Sequence, residues 1–139
     1  MSFADELRII SESGTGRQKK FEERLASIEK QLLKYYNRKL NILVTSFKNE
    51  ARKEADKGKR SAIATCTIQR SDFGAWSPAY NEDLTKQEKR AIDNLYYQTV
   101  YRLVHQVKET LENDGFTSVQ TNTKPNRLGS TILTIKAKW

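Results

Sequence analysis

Between Arg17 and Lys57, apolar side chains fall at Phe21, Leu25, Ile28, Leu32, Tyr36, Leu40, Leu43, Phe47 and Ala51. The steps are 4, 3, 4, 4, 4, 3, 4 and 4 residues, and no glycine or proline interrupts them. Only one face of an α-helix repeats this way, so the spacing predicts a long amphipathic helix over residues 17–57. Gly58 stands where a left-handed residue closes a helix, and Lys53 and Lys57 suit the negative end of its dipole. About 40 residues at 1.5 Å each make a rod of roughly 60 Å. A compact domain of this length is only about 30–35 Å across. The rod must therefore overhang the domain, bend, or pair with another chain.

The remaining elements follow from their own patterns. Ser2 with Asp5 resembles a capping box, opening a short helix over residues 3–12 that buries Phe3, Leu7 and Ile10. The run Ser11 to Gly16, with two glycines among small polar residues, reads as a hinge, which makes residues 1–16 a mobile N-terminal segment. Ser61 to Gln69 alternates as a strand, with Ala62, Ala64, Cys66 and Ile68 on one face, small enough for a helix to approach closely. A loop covers Arg70 to Asn81. Thr85 and Glu88 form a second capping box, opening a helix that runs to Asn113 and closes at Gly115. Its inward residues are Ile92, Leu95, Tyr96, Thr99, Leu103, Val107 and Leu111. Strands over 116–121 and 130–138 complete the chain, the last with Leu133, Ile135 and Ala137 on one face. The fold class is α+β, in one domain over residues 1–139. A small three-stranded sheet is covered by helices on one side, in the order (α)-α-β-α-β-β, and the last two strands are antiparallel neighbours.

Composition narrows the function. The chain carries 25 Lys and Arg against 17 Asp and Glu, a net charge of +8. Residues 1–60 hold 15 of the bases and 9 of the acids, so most of the excess lies with the long helix. No apolar run is long enough to span a membrane, and the opening residues lack the pattern of a secretory signal. With one cysteine there is no internal disulfide, and a cytoplasmic setting is the default. Cys66 and the lone His105 are too few for a zinc site built from such ligands. Cys66 on the small face of a strand reads as a buried, inert thiol. No phosphate loop, nucleophile elbow or zinc-protease motif is present. Asp72-Phe73-Gly74 matches a kinase fragment without its companion motifs. The expectation is a protein with no catalytic residues and no cofactor.

The polar face of the long helix is the most informative feature. At 100° per residue, Arg24, Ser27, Lys30, Lys34, Arg38, Asn41, Thr45, Lys48 and Arg52 share about a third of the circumference; from Arg24 to Arg52 no acid falls on that stripe, and Glu23 and Asp56 dilute the charge at its two ends. Such a ribbon serves as a solvated face, but it also suits phosphates, which cations neutralise and small polar groups hydrogen-bond. Lys124 and Arg127 in the last loop, with Lys136 and Lys138 on the last strand, widen such a footprint. They read first as lysines that protect a sheet edge. Phe73, Trp76 and Tyr80 in the loop before the second helix read either as a cover for the core or as anchors for a partner. Tyr97, Tyr101 and His105, four residues apart, read first as a packing surface against the long helix.

These patterns imply a non-catalytic accessory module that binds DNA or RNA through Arg24, Lys30, Lys34, Arg38, Lys48, Arg52, Lys124 and Arg127. The alternative is a protein-interaction module, either a homodimer joined by the long helix or an adaptor on an acidic protein partner.

Overall fold

The computed structural model describes residues 2–69, 85–126 and 130–139, apart from the side chains at 10, 12, 13, 15 and 17. Its elements are α1 (Phe3–Asp56), β1 (Ser61–Ile68), α2 (Lys86–Asn113), β2 (Thr117–Pro125) and β3 (Thr131–Lys138), an α+β architecture. The strands form one antiparallel sheet in the order β1-β3-β2, so the strand latest in sequence lies in the middle.

Both helices start and stop with the same chemistry. At α1 the Ser2 Oγ accepts the Asp5 N–H at 3.2 Å, and the Asp5 carboxylate accepts the Ser2 N–H at 3.3 Å. Thr85 and Glu88 repeat the exchange at α2, at 3.1 and 2.9 Å. Two helix-initial N–H groups would otherwise lack a helical acceptor. At the C-terminal ends the chain turns left-handed at Gly58 (φ +81°) and Gly115 (φ +96°). The Gly58 N–H donates to the Ala55 carbonyl and Lys59 to Glu54; Gly115 donates to Glu112 and Phe116 to Leu111. These are paired Schellman closures, and glycine fits because a Cβ strains at positive φ.

The expected hinge at Ser11 to Gly16 is not there. α1 is helical without a break over its 54 residues, about 81 Å at 1.5 Å each. Glycine in a helix interior costs only about 1 kcal/mol relative to alanine, a weakening and not a stop. The cap at Ser2 fixes the start, and the helix propagates through both glycines to the periodic stretch beyond.

The core lies between the helices and one face of the sheet. Leu43, Val44, Phe47 and Ala51 of α1 are buried, as are Ala62, Ala64 and Ile68 of β1. α1 packs on β1 and on α2, and α2 packs on β2. The small β1 face admits the helix closely, and the Lys39 Nζ reaches the Thr67 carbonyl at 3.3 Å. From α2 come Ile92, Tyr96, Val100, Leu103, Val107 and Leu111. From β3 come Leu133, Ile135 and Ala137, all fully buried. Among the described residues every buried side chain is hydrophobic. Phe116, which follows the α2 closure, meets Phe47 edge to face at 5.3 Å and Trp139 at 6.2 Å.

β2 departs from the expected strand in its end and in its register. β2 runs on to Pro125, which shortens the connection to residues 126–130, closed by the Asn126 N–H on the Ser130 carbonyl at 2.8 Å. The register slips between Thr117 and Gln120, where Ser118 has φ 50°. An irregularity of that kind re-aims the strand without ending it.

Candidate nucleic-acid interface

The core positions the α1 stripe by default. With Ile28, Leu32, Leu43, Phe47 and Ala51 turned inward, Lys30, Lys34, Arg38, Asn41, Thr45 and Arg52 are turned outward and are exposed. Lys30, Lys34 and Arg38 follow one another at a rise of about 6 Å, and the row from Lys30 to Arg52 spans about 33 Å. These three make no ion pair with a carboxylate among the described residues. The Lys34 Nζ sits 5.5 Å from the centre of the Tyr35 ring, and the Arg52 Nη1 donates to the Asn49 Oδ1 at 3.5 Å.

The two other predicted stripe residues differ. Arg24 is half-buried and engaged by its surroundings. Lys48 is half-buried and ion-paired with Asp114, the C-cap of α2. The stripe is therefore strongest from Lys30 to Arg38, and Lys48 serves chiefly as a strap between the helices. Beyond the stripe, Lys57 and Lys59 converge on Glu54 at 3.3 and 3.1 Å. Hydrogen bonds from Lys59 and then Lys57 hold the Glu54 carboxyl below its ordinary value.

Lys136 and Lys138 do not protect a sheet edge, because β3 is the central strand. They stand on the face turned away from the helices, where the ladder fixes four rows. Lys138 lies between Ser61 and Thr117, and Lys136 between Ile63 and Gln120. Thr134 lies between Thr65 and Asn122, and Ile132 between Thr67 and Lys124. No carboxylate occurs in these rows. Lys124, Lys136 and Lys138 are exposed. Edge protection still fits Lys124, which is on an edge strand. This face and the α1 stripe look out from opposite layers, so they are two surfaces and not one widened footprint.

Arg127, Phe73, Trp76 and Tyr80 lie outside the described residues. Tyr97, Tyr101 and His105 do not pack against α1. Tyr97 and Tyr101 are 58% and 69% exposed, and all three line a groove between α2 and β2. The three are four residues apart and offset from the buried row, with Lys108 three residues further on, but that spacing does not say which side of α2 the long helix takes. Tyr36 of α1 does meet α2: its hydroxyl donates to the Arg102 carbonyl at 3.2 Å. Burial raises its pKa, with Arg102 opposing and Glu109 reinforcing.

Cys66 is half-buried, with its Sγ 3.7 Å from the Ser46 Oγ. It is on β1, whereas His105 adjoins β2 across the sheet, so the two are not brought together. Among the described residues no group of three or more His, Cys, Asp or Glu is placed to hold a metal ion. Among them, too, no helix is long and apolar enough to cross a membrane. The chain matches no known family model, and no similar curated protein or solved structure was found.

Proposed function

We propose that the protein is a non-catalytic module that binds nucleic acid through phosphate contacts along α1. The observation that carries this reading is the row Lys30, Lys34 and Arg38, exposed on one continuous helix with no carboxylate ion-paired to it among the described residues. Asn41 and Thr45 continue the row with groups that hydrogen-bond phosphate oxygens. The acid-free sheet face with Lys124, Lys136 and Lys138 supplies a second cationic surface for the same ligand class. Contacts of this kind position a strand and read little sequence.

Fluorescence anisotropy with labelled oligonucleotides at about 50 and 200 mM salt tests the reading, because counterion release weakens phosphate binding steeply between them. Reversing Lys30, Lys34 and Arg38 to glutamate lowers the slope of log affinity against log salt by about 3, roughly one per phosphate contact. Absence of binding by the unmodified protein at the lower salt overturns it.

A second reading, a homodimer joined through α1, is favoured by one observation. Phe3 and Leu7 are 74% and 47% exposed on the same helical face as the half-buried Phe21 and Leu25. A second copy would cover that row. Light scattering across concentration distinguishes a dimer from a monomer, and the two readings are compatible. An acidic protein in place of nucleic acid would compete for the same lysines.

A further inference from the structure

The groove between α2 and β2 is separate from the α1 stripe. Tyr97, Tyr101 and His105 form one wall, and Thr121 and Thr123 line the groove from β2. Lys108 lies at the same wall one turn on, Val104 contributes to the lining, and among the described residues no carboxylate takes part. The hollow is about 540 Å³, within the roughly 300–1,000 Å³ of small-molecule sites. Tyr101 and His105 meet edge to face at 5.6 Å and 62°, which leaves Tyr101 largely open to solvent. β2 is an edge strand, so the groove is open along one side and admits a chain longer than a single residue.

We infer that this groove takes the unpaired bases of a single-stranded nucleic acid. The inference adds a second site for the ligand class proposed above and rests on that reading. Every base has a π-face, so exposed tyrosine rings accept bases without regard to sequence, and a nearby cation meets the backbone. Tyr97 and Tyr101 are the stacking surfaces here. Lys108 meets a phosphate, and Thr121 and Thr123, on the helix-facing side of β2, face the base edges. A duplex keeps its base faces stacked within itself and gains nothing from these rings. Two exposed aromatics on a helix otherwise forfeit the benefit of burial, and neighbouring polar and cationic groups favour a polyanion over an apolar guest.

The test uses the full chain with an oligo-dT of about 20 nucleotides and a mixed-sequence duplex of the same length, both at about 50 mM salt. Tyr97→Ala and Tyr101→Ala each lower affinity for the single strand by at least about fivefold and leave duplex affinity unchanged. Tyr101→Phe, which keeps the ring, retains single-strand affinity. Circular dichroism confirms that each variant folds. If the alanine variants bind the single strand as the unmodified protein does, or lose both ligands equally, the inference is overturned. Weakening of both ligands by the Lys30, Lys34 and Arg38 reversals would then leave the α1 reading standing. If the unmodified protein binds neither ligand, both fail together.

Discussion

The two helices carry the same caps at both ends, yet they are used differently. α2 buries residues along most of its length, from Ile92 to Leu111. α1 is about twice as long and, among the described side chains, fully buries residues only from Ile28 onward, leaving Phe3 and Leu7 exposed. The comparison teaches that caps set where a helix begins and ends, whereas packing sets which part of it is stable. Ahead of Phe21, the first of its described side chains packed against the core, α1 is held by propensity and the Ser2 cap, and isolated helices of modest length are marginal in water.

The largest effect expected is in the packed half. Phe47→Ala removes a fully buried ring that touches Phe116, and it lowers unfolding free energy by about 3–5 kcal/mol. Leu7→Ala, on the exposed part, changes it by less than about 0.5 kcal/mol. Denaturant titrations of both variants check the contrast, and equal losses would break it. Next come the two glycines inside α1. Nothing lies within 4 Å of a Cβ built at Gly14 or Gly16, so each change to alanine stabilises that stretch by about 1 kcal/mol. Amide exchange over residues 3–25 slows while the global unfolding midpoint stays fixed; a shifted midpoint would show that the two halves of α1 unfold together.

The smallest effect is the pH response of the helix end. The Glu54 carboxyl lies below its ordinary 4.5 because Lys59 and Lys57 bond to it. Its contribution is therefore fully present above the unfolded value and is lost as pH falls through the folded one. Amides of residues 55–59 exchange faster in acid, and Glu54→Gln removes that dependence. Tyr36 works in the opposite direction: its pKa lies above 10.0, so its contribution is lost as pH rises through the folded value.

Local physics was legible in the sequence. The nine apolar positions from Phe21 to Ala51, the two capping boxes, both closing glycines and the alternation of Ala62 to Ile68 each depend on neighbours within a few residues. What depended on distant partners was not legible. Nothing near Lys136 in sequence says that its strand sits in the middle of the sheet, and that single fact turns edge protection into an open cationic face. The pairing of Lys48 with Asp114 depends on where α2 ends in space. Gly14 and Gly16 misled for another reason: a local penalty of about 1 kcal/mol each was given the weight of a break. The exposure of Tyr97 and Tyr101 turned on which side of α2 the long helix takes, and periodicity does not encode this.

The middle position of β3 also orders assembly. β2 and β3 are joined by a short turn and form a hairpin from local contacts, whereas the register of Ile68 with Thr131 closes a far longer loop. Closure entropy rises with the length bridged, and distant pairings slow folding. During synthesis β1 emerges with an unsatisfied backbone edge and keeps it until the hairpin is made, so the time of greatest vulnerability to self-association falls between the appearance of β1 and that of β3.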